Sequence, residues 1–148
     1  MKAETYLRQI ELLDRQINED LADLQGAREA MRNPQAVDYS KDKVQTSPED
    51  AMSKRLAQIA DQNQQINEEI DKYAGMKTKI VQQMRNLGDT DRERRMQHLL
   101  FHKYVLYESV HYIAESVLKI TYKACSQLHR DALKEFEEKY ADDMPRYL

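Results

Sequence analysis

Apolar positions along the chain recur at helical spacing. Tyr6, Ile10, Leu13, Ile17, Leu21, Leu24 and Met31 follow steps of three, four or seven, with a slip between Ile17 and Leu21. They predict a first helix from about Thr5 to Arg32. Asn33-Pro34 ends it, because the residue before proline is pushed out of the helical region. Gln35 to Thr46 is polar and irregular, which predicts a loop near residues 33–47. Ser47-Pro48-Glu49-Asp50 then supplies a cap, a first-turn proline and two acids for the positive end of a helix dipole. The second stripe is the most regular. Met52, Leu56, Ile59, Asn63, Ile66, Ile70, Tyr73, Lys77, Ile80, Met84 and Leu87 alternate steps of four and three without a break. That is the coiled-coil period, with Asn63 and Lys77 as polar members that either set register or lie at the wet edge of a helical hairpin.

Leu87-Gly88-Asp89-Thr90-Asp91 reads as a helix end, a turn and a new cap. Beyond it, Leu99, Leu100, Tyr104 and Val105 predict a helix from about Asp91 to Leu106. Val110, Ile113, Ala114 and Val117 predict a short one from Ser109 to Val117, and a third runs from Thr121 to about Tyr140. The ending, residues 141–148, is expected to fray. The fold class is therefore all-α: a coiled-coil-like helical hairpin over residues 1–88, joined to a small domain over 89–140 whose long, short, long helices have the order of a helix-turn-helix module.

Charge sharpens the boundary. Residues 1–91 hold 13 Lys+Arg against 17 Asp+Glu, residues 92–134 hold 8 against 4, and residues 135–148 hold 2 against 5. The net charge of -3 thus conceals a basic segment that also contains all 4 His. A local positive field is what a polyanion meets. Aromatics are 7% of the chain and there are only 3 Gly and 3 Pro, which favours helix over turn-rich folds. One Cys excludes an intramolecular disulfide, and with no leader and no long apolar run the chain reads as cytoplasmic, with no membrane partner.

In the stretch ITYKACSQLHRDALKEF, Cys125, Leu128, Ala132 and Phe136 fall on one side of a helix. Lys123, Ser126, Gln127, Arg130 and Lys134 fall on another. Glutamine pairs with adenine edges and Arg or Lys with guanine or phosphate, so this front suits a major groove. Thr121 and Tyr122 open the helix, while Arg92, Arg94, Arg95 and Lys103 are candidates to grip the phosphate backbone. A basic helix taken alone is more often a solvated face; the short helix before it and the charge segregation favour DNA. His98 and His102 have a metal-compatible spacing, but HLLFH lacks the intervening Glu of a zinc hydrolase and no third ligand is evident, so no metal is expected. With no glycine-rich phosphate loop and no nucleophile-base set, neither a cofactor nor an enzymatic activity is expected. Cys125 suits a small apolar core position.

Two segments together carry a resemblance. DKVQTSPEDAM, Asp42 to Met52, leads into a long helix containing INEEID, and KYVLYESVHYIAES precedes ITYKACSQLHRDALKEF. The chain from about Thr5 to Tyr140 resembles the phage and prophage late-gene regulators of the RinA/ArpU type, which carry a C-terminal helix-turn-helix similar to region 4 of sigma-70 factors. The resemblance implies sequence-specific binding of double-stranded DNA, control of late genes such as those for packaging or lysis, contact with RNA polymerase near a promoter, and no cofactor. It implies a recognition helix beginning at Thr121, with Tyr122, Lys123, Ser126, Gln127 and Arg130 at the DNA. The chain departs from the pattern in its turn Val117-Leu118-Lys119-Ile120, which lacks the common Gly and is one residue longer, and in having only Val110 where an aromatic is usual. The hairpin would supply a homodimer or partner surface. The alternative expectation is a non-catalytic structural or adaptor coiled coil whose C-terminal helices only pack.

Overall fold

The structure, a computed structural model, describes residues 1–32 and 48–148. The predicted loop from Gln35 to Thr46, the Asn33-Pro34 stop and the Ser47 cap lie outside the described residues. What is described is all-helical: α1 (Ala3–Arg32), α2 (Pro48–Arg85), α3 (Asp91–Tyr104), α4 (Val110–Tyr112) running on into a π-helical segment (Ile113–Leu118), and α5 (Tyr122–Lys139). No strand occurs among the described residues.

Local signals explain the ends of the helices. Thr90 caps α3 by accepting from the Glu93 amide at 3.1 Å, Ser109 caps α4 by accepting from Tyr112 at 3.2 Å, and Thr121 caps α5 by accepting from Ala124 at 3.1 Å. The π-helical segment ends where Lys119 turns left-handed at φ 52°, and the Ile120 amide returns to the Ala114 carbonyl at 2.9 Å.

The chain forms two compact units. Unit 1 combines residues 1–14 with residues 75–148, and unit 2 is residues 15–74. The Gly88–Asp91 turn, expected as the junction of two domains, lies inside unit 1. The reason is packing: Tyr6, Leu7, Ile10 and Leu13 of α1 are fully buried, as are Ile80, Leu99, Ile113, Cys125 and Phe136. The Tyr6 and Phe136 rings lie 5.9 Å apart, and the Tyr6 hydroxyl donates to Gln83 Oε1 at 2.6 Å. Lys77, the polar member of the α2 stripe, is held by Asp14 at 2.6 Å. The end of α5 is tied to the end of α2, with the Tyr140 hydroxyl donating to the Gln83 carbonyl at 2.9 Å and Lys139 Nζ donating to the Leu87 carbonyl at 3.3 Å.

The tail expected to fray is instead fastened. Gln83 Nε2 donates to the Asp143 carbonyl at 2.9 Å, Gln9 Nε2 donates to the Pro145 carbonyl at 3.0 Å, and the Tyr147 amide donates to Gln9 Oε1 at 2.7 Å. Both glutamines are buried, so the tail backbone helps to satisfy side-chain amides that are shielded from water.

Unit 2 is more open. Leu24 and Ile59 are buried, whereas Leu21 is 47% exposed and Asp20, beside it, only 8%. The slip seen in the first stripe is therefore resolved with Asp20 inward. A regular four-three alternation through Ile17, Asp20 and Leu24 overrides the choice of Leu21, and it leaves Asp20 Oδ2 shielded with no hydrogen-bond partner among the described residues. No helix among the described residues is long and apolar enough to cross a membrane.

Candidate nucleic-acid interface

Helix α5 is strongly two-sided. Cys125, Leu128, Ala132 and Phe136 are buried, and burial pushes the Cys125 thiol above its ordinary pKa. Opposite them, Lys123, Gln127, Arg130 and Lys134 are all exposed, and their three-four spacing aligns them in one stripe. Ser126 is half-buried at the flank. Thr121 is exposed, but its hydroxyl is engaged as the helix cap.

Tyr122 does not stand free. Its ring stacks on His111 of α4, with centroids 3.9 Å apart and planes 11° from parallel. This pair spans the turn and braces the start of α5 against the short helix before it. The sequence offered no signal for His111, since a stack across a turn depends on the angle between two helices.

A cleft of about 500 Å³ runs beside the stripe, between α3 and α5, with Arg92, Arg95, Ala124, Gln127 and Asp131 in its walls. The structure thus joins Arg92 and Arg95 to the front of α5. Arg94 does not line this cleft, but it makes a loose 3.6 Å pair with Asp91, which does, both side chains being mostly exposed. Lys103 lines a different cleft, with Arg8, Glu11, Tyr104 and Tyr107, and its ammonium lies 5.8 Å from the Tyr104 ring centre. Of the expected phosphate contacts, Arg92 and Arg95 line the cleft beside Gln127, Arg94 pairs with Asp91 of that cleft, and Lys103 lies at the other one.

Asp131 organises this surface. Its Oδ1 accepts from Gln127 Nε2 at 2.9 Å, its Oδ2 is ion-paired with Arg92, and Gln127 Oε1 in turn accepts from Arg130 at 2.8 Å. Arg130, Gln127, Asp131 and Arg92 form one chain of hydrogen bonds. Its exposed members gain little stability from each bond, but the chain fixes their orientation. The i,i+4 spacing of Gln127 and Asp131 was visible in the sequence; the crossing to Arg92, 39 residues away, was not.

No protein-family model, curated protein or solved structure matches the chain.

Elsewhere on α5, His129 sits against Tyr104, whose hydroxyl lies 2.8 Å from Nε2. Burial, with Lys103 as the next cause, pushes the His129 pKa down to about 4, so the ring is neutral at pH 7 and accepts from the tyrosine. His102 Nδ1 is engaged by Glu108 Oε2 at 2.7 Å, and His98 is exposed. Among the described residues, no group of three or more His, Cys, Asp or Glu comes together as a metal site.

Proposed function

We propose that this protein binds double-stranded DNA through the outer face of α5 and regulates transcription. One observation carries the reading: Lys123, Gln127, Arg130 and Lys134 form an unbroken exposed stripe opposite the buried face of α5, with Arg92 and Arg95 across an adjoining cleft. A helix of this kind can lie in the major groove while the arginines meet phosphates at the groove edge. Gln127 offers an amide that reads an adenine edge. Lys123, Arg130 and Lys134 supply charge along the groove, and Asp131 holds Arg92 and Gln127 in position until DNA arrives. The resemblance of KVQTSP and LHRDALKEF extends the proposal to late-gene control in a phage or prophage, with promoter-proximal occupancy and contact with RNA polymerase.

Selection from a pool of random duplexes with the full chain tests this. The expected result is enrichment of one sequence, with log affinity falling linearly against log salt. Recovery of no common sequence, together with binding that ignores salt, would remove the proposal. That outcome would favour the structural coiled-coil reading, for which the partly covered stripes of unit 2 are the supporting observation.

A further inference from the structure

Unit 2 leaves its apolar stripe on α2 incompletely covered. Met52, Leu56, Ile66, Ile70 and Tyr73 are half-buried, and only Ile59 between them is buried. On α1, Leu21 and Met31 remain 47% and 39% exposed. Helices gain most of their stability from packing an apolar face, and two helices alone cannot enclose both stripes.

The charges beside the stripe indicate what covers it. Directly beside the stripe, Arg55 is exposed toward one end and Glu69 toward the other, while Asp50, Lys54, Asp61, Glu68, Asp71 and Lys72 are exposed farther from it. Gln62 lies midway, seven residues from both Arg55 and Glu69. Two copies of α2 laid parallel would face Arg55, Gln62 and Glu69 with Ala60, Asn67 and Ala74 of the other copy, so no charge pair would form. Laid antiparallel about Gln62, they would place Arg55 against Glu69 of the partner subunit, twice by symmetry, with the stripes facing. The flank that follows each apolar position holds Ser53, Ala60, Asn67 and Ala74, which allow close approach.

We infer that two copies of this chain associate through α2 of unit 2, antiparallel and centred on Gln62. The association is isologous, so each complementary pair occurs twice. It is independent of the DNA-binding proposal, because every residue it uses lies in unit 2.

Sedimentation equilibrium of the full chain tests it. The parent is expected to dimerise reversibly. Arg55→Glu and Glu69→Arg should each raise the dimer dissociation constant about tenfold, because each converts two attractive contacts into two repulsive ones. The double variant Arg55→Glu/Glu69→Arg should return to the parent value. Both positions are exposed, so unchanged helical signal in the single variants separates lost association from lost folding. A parent chain that stays monomeric at its highest soluble concentration overturns the inference. So does a dimer indifferent to the single reversals, which would point to a parallel arrangement or another face.

Discussion

Asp131 orients the polar side chains at the front of α5, and in the proposed function it would tune what they recognise. A carboxylate in the middle of a basic surface repels phosphate, yet this one orients Arg92 and Gln127. Asp131→Asn should therefore tighten binding to random duplexes several-fold at low salt while narrowing the gap between preferred and random sequence. Titration of both duplexes with parent and variant measures the two effects separately. A variant that loses affinity for both alike would make Asp131 a folding residue rather than an orienting one. His129 offers a second prediction. Its folded pKa of about 4 lies below the ordinary histidine value because the ring is buried and faces Lys103, Arg130 and Arg8, with Glu4 opposing. The unfolded chain binds the extra proton first, so this contribution to stability is complete above about pH 6.5 and is lost as pH falls toward 4. Denaturant unfolding of parent and His129→Gln between pH 7 and 4 should show a shallower pH slope for the variant. Parallel curves would contradict the assignment. At this scale the sequence was readable wherever periodicity alone decides, as at Cys125, Leu128, Ala132 and Phe136. It misled at Leu21, because a polar residue in the inward register, Asp20, does not register in an apolar pattern.

Among the elements, the turn before α5 has the most unusual backbone beside the start of the helix. Lys119 adopts φ 52°, the left-handed conformation that glycine takes without cost. Lys119 is thus a lysine held in a glycine's conformation, and it closes the π-helical turn Ile113–Leu118. Lys119→Gly should stabilise the fold by about 0.5–1 kcal/mol, provided the relief of strain exceeds glycine's larger unfolded entropy. Lys119→Val should destabilise it by more. Chemical denaturation of the two variants checks the order, and a reversed order would remove the strain argument. The helices from Asp91 onward were legible to within two or three residues, because each carries a hydroxyl cap at its start: Thr90, Ser109 and Thr121. Their mutual arrangement was not legible, since it rests on contacts such as the His111–Tyr122 stack and the Arg92–Asp131 pair that no local pattern encodes.

At the scale of the whole molecule, composition placed a boundary where the charge changes sign, whereas packing places Gly88–Asp91 inside unit 1. Charge segregation reports on the surface and says little about which helices share a core. Phe136 packs beside Tyr6, so a fragment beginning at Thr90 loses a core partner together with the glutamines that hold the tail. Such a fragment should show reduced helical signal and no cooperative melting transition. A sharp transition would establish 89–140 as an autonomous domain. The central claim, that α5 is a DNA-reading helix, rests on side chains whose removal leaves the core untouched, and this makes it directly testable. The measurement is the affinity of parent and of the Lys123→Ala/Gln127→Ala/Arg130→Ala variant for the selected duplex and for random DNA across a salt series, with circular dichroism as the control for folding. The account predicts a folded variant with preference for the selected site reduced by about 1–3 kcal/mol from the lost base contact, and a salt slope flattened by roughly one unit for each phosphate contact removed. A folded variant that binds the selected duplex as tightly as the parent would make the front of α5 a solvated surface and contradict the account.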